Sequence, residues 1–339
     1  MNRKARIRKI STFLPEQRLT NDELANRFEK WTSENIFQKT GIKERRFSKE
    51  TETASDLAVE AAQKIFDSGI VKPSDIDILV MCTQSPDYIL PSTSCLVQNR
   101  LGLPTTTLTF DITLGCSGYV YGLSIVKSLL ENGNGSKALF LTGDTYTKYF
   151  HSMDERVVPL FGDGATATYI ELDDSKDIDW MGPFVYGTDG KGACNLRIEA
   201  GACRMPGYLA DPSGKSDPKK SDAPEYLHMN GPEIFTFSLR TVPETLKRLF
   251  EKSSCTIDDI DMFVFHQANE YMLEVLRKKL NIPKEKFLIE MTDVGNTVSS
   301  TIPIAMERAI AKSTIHEGMK IGIVGFGVGY SWAAGLLVL

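Results

Sequence analysis

The sequence predicts an α/β protein in which the two halves of the chain repeat one arrangement of helices and strands. Residues 75–82 align without a gap with residues 259–266, at a constant offset of 184 positions. The same offset brings Phe66, at the end of one apolar helical pattern, onto Phe250, at the end of another. Short apolar runs also alternate with helical patterns, which is typical of sheets covered by helices on both faces.

In the first half, periodicity predicts a helix, a buried strand, a second helix and a second strand. The first helix covers residues 54–68, with apolar residues at helical spacing, and the apolar run 76–83 predicts the first strand. A turn of small residues leads into a helix over 117–131, and a further apolar run predicts a strand over 137–143.

The second half repeats this order, with a helix over residues 233–252, a strand over 260–266, a helix over 297–312 and a strand over 320–325. Because each element has a counterpart, we expect two domains of one type. These predicted domains are residues 1–175 and residues 176–339.

One segment breaks the pattern between the halves. It covers residues 187–229, and residues 211–220 are its most polar part. A surface loop and a cap over the site are both compatible with this composition. We favour a surface loop for the polar tip, since such a stretch cannot bury apolar area.

Composition excludes several classes of function. The chain has 339 residues, 42% of them apolar and 24% charged, and a net charge of −5 with scattered basic residues, so nucleic acid is not an expected partner. No signal peptide or membrane-spanning run is present, so we expect a cytoplasmic protein with no membrane partner. The six cysteines form no Cys-x-x-Cys pair and the four histidines are dispersed, so neither a metal site nor a disulfide framework is predicted.

Cys116 is the first candidate for a chemical role. It lies between a strand-like segment and an apolar helix, in the run Gly115-Cys116-Ser117-Gly118. At a helix N-terminus, unpaired N–H groups and the helix dipole favour a thiolate over a thiol. A lone cysteine is more commonly a small buried apolar residue, so this position alone does not decide between the two interpretations.

His266 follows an apolar run, so its ring should emerge at the carboxyl end of a strand, where open α/β sheets bind ligands. Taken alone, it could be a hydrogen-bonded structural histidine. Asn296 follows Gly295 as Cys116 follows Gly115, and alone it could be a helix cap. The duplication supports a shared site, because it directs Cys116, His266 and Asn296 to one place.

The glycine-rich run at residues 325–330 superficially resembles a nucleotide-binding loop. Tyr330 stands where the third glycine of that pattern belongs, and too few residues follow for a βαβ unit. A tight strand-to-strand turn and an oxyanion hole, in which backbone N–H groups approach a reacting carbonyl, are equally compatible with the run.

Eight motifs spread over the chain occur together. They are Leu14-Pro15-Glu16, Thr40-Gly41-Ile42-Lys43-Glu44-Arg45-Arg46, Pro91-Ser92, Gly115-Cys116-Ser117-Gly118, Phe161-Gly162-Asp163-Gly164-Ala165, His266-Gln267-Ala268-Asn269, Gly295-Asn296-Thr297 and Phe326-Gly327-Val328-Gly329-Tyr330-Ser331-Trp332. Together they resemble the thiolase-like superfamily, and within it the 3-oxoacyl-[acyl-carrier-protein] (ACP) synthase III family. The resemblance implies a five-layered α-β-α-β-α sandwich. Degradative thiolases have a second cysteine in the C-terminal glycine turn and other synthases a second histidine at Asn296, so both are disfavoured.

The resemblance implies an acyltransferase of fatty acid biosynthesis that works in two half-reactions. Cys116 would attack an acyl-CoA or acyl-ACP thioester, with the N–H groups of Cys116 and Val328 as the oxyanion hole. His266 and Asn296 would donate hydrogen bonds to the thioester oxygen of malonyl-ACP, so that loss of carbon dioxide leaves an enolate that attacks acyl-Cys116. Coenzyme A and phosphopantetheine thioesters serve as substrates, and no metal or organic cofactor is implied. Val328 stands where the family usually has glycine, and its side chain is expected to narrow the acyl path.

The resemblance also implies a set of substrate-binding residues, which are Lys39, Leu90, Asn269, Gly327 and Gly329. A tryptophan that flanks the coenzyme A adenine in the family falls at Asn35, so we expect aromatic stacking to be lost. The family's basic contact for the carrier protein falls at Tyr271, beside Glu270, although Lys278 and Lys279 remain.

A homodimer is implied as well. Leu90 matches the position that reaches into the acyl pocket of the partner subunit. A leucine there, in place of a larger aromatic residue, leaves room for a longer or branched acyl chain.

Three interpretations follow. The first is a decarboxylating Claisen condensing enzyme that gives a 3-oxoacyl product. The second keeps Cys116 but transfers the acyl group to a hydroxyl, an amine or a special acceptor, in secondary metabolism or surface-polysaccharide synthesis. The third is an inactive subunit that only binds partners, and retention of Cys116, His266 and Asn296 argues against it.

Overall fold

The computed structural model describes residues 3–174, 178–207 and 223–339. Its helices are α1 (Asn21–Arg27), α2 (Ser33–Thr40), α3 (Ala54–Asp67), α4 (Thr93–Arg100), α5 (Gly118–Glu131), α6 (Gly231–Ser253), α7 (Glu270–Lys279) and α8 (Thr301–Ala311). Its strands are β1 (Lys4–Phe13), β2 (Gln17–Thr20), β3 (Glu44–Phe47), β4 (Ile78–Cys82), β5 (Leu108–Ile112), β6 (Lys137–Asp144), β7 (Gly164–Asp173), β8 (Met181–Thr188), β9 (Leu196–Arg197), β10 (His228–Met229), β11 (Met262–Phe265), β12 (Lys320–Gly327) and β13 (Ser331–Val338).

Two main sheets carry the fold, one from each half of the chain. The first has the strand order β1-β7-β6-β4-β5, and the second has the order β11-β12-β13-β8. In the first sheet β4 runs parallel to both β5 and β6, and in the second β11 runs parallel to β12. The predicted domain boundary after residue 175 falls between β7 and β8, and it stays a prediction.

The helices form three layers around these sheets. Tyr119 of α5 and Met306 of α8 lie in one buried cluster with residues of both sheets, so α5 and α8 form the central layer. Helices α3 and α4 cover the outer face of the first sheet, and α6 and α7 cover the outer face of the second. Along β4, Val80 faces the central layer while Leu79 and Met81 face the outer one, as strand alternation requires. The five-layered α/β fold predicted from the sequence is confirmed.

The two halves repeat each other in detail. Ile78 and Met262, 184 positions apart, each begin the strand that runs parallel to its neighbour. One residue earlier, the carboxylate of Asp77 accepts a hydrogen bond from the N–H of Lys137, and that of Asp261 accepts one from the N–H of Lys320. Each aspartate therefore fastens the start of the neighbouring strand.

The predicted elements form close to their expected bounds, with one difference. The helix expected over 297–312 begins only at Thr301, because Val298–Ser300 form a turn of 3-10 helix. Val298 has a φ of 54°, a conformation that β-branched residues rarely adopt. The polar stretch 211–220 lies outside the described residues. Within the described ranges, no helix is both long and apolar enough to cross a membrane.

Candidate active site

One cavity of about 270 Å³ is lined by Cys116, His266 and Asn296 together. Lys39, Asn269 and Gly327 also line it. The rest of its wall is largely apolar, and its larger apolar residues are Leu160, Phe161, Leu196, Met229, Ile234, Phe235, Met272 and Phe326. The convergence predicted from the duplication is therefore present, while the catalytic roles of the three residues stay predictions.

Asn296 is held by its backbone and by its side-chain oxygen. Its N–H donates to the carbonyl of Leu160 and its carbonyl accepts from the N–H of Gly162, so the two halves of the chain meet here. Its Oδ1 accepts from the N–H of Val298 at 2.9 Å. Because the acceptor end of the amide is occupied, its Nδ2 hydrogens remain to donate to a ligand. Asn296 is not a helix cap, since Ser300 precedes α8.

Gly295 is needed for this approach. It has a φ of 71°, and a Cβ on it would lie 2.8 Å from the carbonyl oxygen of Leu160. Any other residue would therefore push the loop that carries Asn296 away from its contact.

His266 follows β11, as predicted, and is 2% exposed. Its Nδ1 lies 2.7 Å from Oγ1 of Thr301, and its ring packs edge-on against Phe326. Burial lowers the pKa of His266 to about 3. The ring is therefore neutral at physiological pH and suited to donating or accepting a hydrogen bond without carrying a charge.

Cys116 is also buried, and this corrects the expectation of a thiolate. Burial and, after it, the nearby Asp144 carboxylate raise the pKa of the Cys116 thiol to about 12. The N–H groups of Val328 and of Cys116 itself lower it, but by less. Loss of hydration and a neighbouring negative charge thus outweigh the helix N-terminus, and the resting residue is a thiol.

The glycine turn lies directly against Cys116. A Cβ on Gly327 would lie 2.9 Å from both Cβ and Sγ of Cys116, so a side chain there would displace the sulfur. Oγ of Ser331 donates to the carbonyl of Val328 at 2.8 Å, and Oγ of Ser117 lies 2.7 Å from Oγ of Ser331. The backbone N–H groups of Val328 and of Cys116 itself also hydrogen-bond to the sulfur, and their role as an oxyanion hole stays a prediction.

The substrate-binding residues named above fall in three places. Gly327, Lys39 and Asn269 line the cavity, and Lys39 and Asn269 also line an outer vestibule of about 910 Å³. Gly329 lies in the turn between β12 and β13 and does not line either described cavity. Leu90 is 80% exposed on the surface of the single chain. The binding roles of these residues stay predictions.

The vestibule contains an aromatic residue that sequence comparison missed. Trp31 lines it, and Nζ of Lys39 lies 4.4 Å from the centre of the Trp31 ring. Asn35, where the family's tryptophan falls, has no ring, and the expectation that aromatic stacking is lost there stays a prediction. Trp31 precedes α2 and belongs to no periodic pattern of apolar residues, so no sequence pattern indicated its position in the vestibule.

A basic groove adjoins the cavity. It is formed by Arg240, Lys247 and Lys279, with Glu244 as its acidic member and Phe235 shared with the cavity wall. Tyr271, which replaces the family's basic contact, stacks on Phe235 with ring centres 5.8 Å apart.

The site combines a cysteine beside two backbone donors, a neutral histidine and an oriented asparagine amide. Together with the two repeated α/β halves, this combination defines a thiolase-like acyltransferase. The chain belongs to the 3-oxoacyl-[acyl-carrier-protein] synthase III family, whose two profiles, 3-oxoacyl-[ACP] synthase III and its C-terminal part, match residues 110–190 and 250–339. It is 34% identical to the beta-ketoacyl-[ACP] synthase III of Clostridioides difficile, over 99% of both chains.

Solved structures agree with this assignment. A crystal structure of a 3-oxoacyl-(ACP) synthase III superposes with a TM-score of 0.95 at 47% identity, covering 99% of this chain and 100% of the other. The 3-oxoacyl-(ACP) synthase of Burkholderia xenovorans superposes with a TM-score of 0.89 at 33% identity, covering 99% and 94%.

The first prediction concerns the resting thiol. Alkylation of Cys116 by iodoacetamide should rise from about pH 7 to about pH 10 without a plateau, because the thiolate fraction grows roughly tenfold per pH unit below the pKa. Asp144→Asn should speed alkylation at pH 8 by roughly 3- to 10-fold, since it removes the carboxylate that raises the thiol pKa. Peptide mass spectrometry gives the rate at Cys116, with the exposed Cys203 as internal reference. A plateau near pH 7 would contradict the buried-thiol assignment.

Proposed function

We propose that this protein is a decarboxylating Claisen condensing enzyme, which joins an acyl thioester to a malonyl thioester through acyl-Cys116. The observation that carries the proposal is the meeting of Cys116, His266 and Asn296 in one largely apolar cavity. Family membership supports it, since the relatives compared above are 3-oxoacyl-ACP synthases.

In the first half-reaction, Cys116 attacks the carbonyl carbon of the donor thioester. The Cys116–acyl bond forms, the bond to the carrier sulfur breaks, and the thiol proton leaves with the carrier as its free thiol. The N–H groups of Cys116 and Val328 stabilise the oxyanion of the tetrahedral intermediate. Because the resting thiol is largely protonated, proton loss accompanies attack instead of preceding it.

In the second half-reaction, the malonyl thioester loses carbon dioxide. The thioester oxygen takes up negative charge as the carbon–carbon bond breaks, and the Nδ2 hydrogens of Asn296 and the His266 ring donate to it. The enolate carbon then attacks acyl-Cys116, the acyl–sulfur bond breaks, and Cys116 regains its proton from solvent. We propose that no metal or organic cofactor is needed, because all charge develops on one oxygen that neutral donors can stabilise.

The alternative of acyl transfer to a hydroxyl or amine is less well supported. Such a transfer uses Cys116 and the oxyanion hole but gives no role to an amide oriented like that of Asn296. An inactive binding subunit is disfavoured for the same reason.

The second prediction tests this function. Intact-protein mass spectrometry with a panel of acyl-CoA and acyl-carrier thioesters should show one acyl group added to the wild type and none to Cys116→Ala, because that variant lacks the sulfur. Addition of malonyl thioester should then discharge the acyl group with release of carbon dioxide. Asn296→Ala should still acylate but condense about 10²- to 10³-fold more slowly, the usual effect of losing one donor to an oxyanion. Discharge onto an alcohol or amine without carbon dioxide would instead favour the alternative.

Two surfaces suit two different substrate carriers. Trp31 and Lys39 at the vestibule offer a ring and a cation to the nucleotide end of coenzyme A. The basic groove of Arg240, Lys247 and Lys279 offers positive charge beside the cavity, and we propose that it takes the ACP of the donor or the malonyl acceptor.

The third prediction separates the two surfaces. Trp31→Ala should raise KM for acyl-CoA about tenfold, since base–aromatic stacking contributes about 1–3 kcal/mol, and leave KM for malonyl-ACP nearly unchanged. Lys279→Glu should do the reverse, with an effect that weakens as salt rises. Steady-state kinetics with each substrate varied in turn provide the measurement, and each variant is the control for the other. Equal effects of both variants on both substrates would refute the separation.

We also propose a homodimer located in the cytoplasm. Three consecutive apolar residues, Tyr88, Ile89 and Leu90, are 61%, 85% and 80% exposed. They precede α4, which packs on β5, and β5 is an edge strand whose second side has no neighbour among the described strands. An apolar patch beside an unpaired strand edge is typical of an interface, and a second copy of this chain would cover both.

The fourth prediction concerns this interface. Light scattering should give about twice the 37.7 kDa mass of one chain. Ile89→Asp should shift the protein toward monomer, because it places a charge in the apolar patch, and it should reduce acylation if Leu90 completes the partner's acyl pocket. Ile70→Asp, at a residue that is 45% exposed elsewhere, is the matched control. A fully active wild-type monomer would exclude the dimer as the working form.

A further inference from the structure

Thr301 is a buried residue in direct contact with His266 that neither half-reaction above uses. It is 3% exposed, at the first position of α8, and its hydroxyl lies 2.7 Å from Nδ1 of His266. Thr301 does not line the cavity, whereas His266 does. Since the two ring nitrogens lie on different edges of the ring, Nε2 is the one left to face the ligand.

The Thr301 hydroxyl has a single hydrogen and two possible acceptors. One is Nδ1 of His266 at 2.7 Å, and the other is the carbonyl of Val298 at 3.1 Å. The contact to Nδ1 is the shorter of the two, and we assign the hydroxyl hydrogen to it.

We infer that Thr301 is a positioning residue that fixes His266 as the tautomer protonated at Nε2. A neutral imidazole has one donor and one acceptor nitrogen, so a hydroxyl that donates to Nδ1 leaves the hydrogen on Nε2. This inference rests on the proposed function and deepens it. With the hydrogen on Nε2, His266 donates to the thioester oxygen in the decarboxylation step and does not act as the base for Cys116.

The backbone of the turn supports the same arrangement. Val298 is held at a φ of 54° between Asn296 and Thr301, with its N–H on Oδ1 of Asn296. This strained conformation is of a kind typical of functional sites. It lies between Asn296 and Thr301, the residue that contacts His266. One turn thus sets the donor direction of the Asn296 amide and the tautomer of His266.

The same turn provides a matched control. Thr297 is buried, and its hydroxyl has no hydrogen-bond partner among the described residues. Thr297→Val and Thr301→Val therefore make the same chemical change within one turn, but only the second removes a contact with His266.

The fifth prediction uses ¹⁵N-histidine NMR on the free enzyme, with the His266 signals assigned from a His266→Asn variant. Wild type, Thr297→Val and Thr301→Ser should show His266 protonated at Nε2, and Thr301→Val should show a mixture of both tautomers. In single-turnover mass spectrometry, Thr301→Val should slow condensation about 10²-fold while acylation of Cys116 changes by less than about threefold. Thr301→Ser should restore condensation, because it keeps the hydroxyl.

Two outcomes would overturn the inference. The first is wild-type His266 protonated at Nδ1, a result that needs no variant to fold. The second is a Thr301→Val enzyme in which acylation and condensation slow equally. If the wild type is not acylated at Cys116 at all, the proposed function fails. The NMR measurement on the free enzyme still decides whether Thr301 sets the tautomer of His266.

Discussion

The buried carboxylate of Asp144 is the interaction on which the geometry of the site depends. It lies at the end of β6 and accepts hydrogen bonds from the N–H of Gln84 at 2.8 Å and from Oγ of Ser299 at 2.6 Å. Gln84 follows β4 of the first half, and Ser299 belongs to the turn of the second half that carries Asn296. One acceptor therefore fastens the carboxyl ends of two parallel strands to the opposite half. Burial raises the pKa of Asp144 to about 6, so it remains mostly ionised near neutrality and in turn raises the pKa of Cys116.

The arrangement of helices and strands could be predicted from the sequence because it is specified by local patterns of apolar residues. Helical spacing, short apolar runs and a constant offset defined both halves, and they placed Cys116, His266 and Asn296 at strand or helix ends that meet. The expectation of a thiolate was wrong because the rule for helix termini takes no account of burial. That burial depends on segments far apart in the chain, since Gly327 of the second half lies against Cys116 of the first. Trp31 and Thr301 were missed for the same reason, as each acquires its role only from a neighbour in space.

The two halves have the same arrangement of helices and strands but carry different residues at some equivalent positions. Asp77 and Asp261 perform the same task at equivalent positions, but Cys82 stands in the first half where His266 stands in the second. The thiol of Cys82 donates to the carbonyl of Leu114, and it packs under Gly118, where a Cβ would clash with its sulfur. The first half thus fills this position with a packing residue and carries Cys116 on the loop after β5. The second half has at the same position the ring of His266, which lines the cavity.

The raised pKa of Cys116 has a consequence for how the enzyme survives between turnovers. Peroxides oxidise thiolates much faster than thiols, and sulfinic and sulfonic acids form irreversibly in most proteins. A nucleophile that rests as a buried thiol is therefore a poor target for oxidants, whereas a permanently activated cysteine would be exposed to them. Resistance to oxidative damage thus follows from the same burial that raises the thiol pKa.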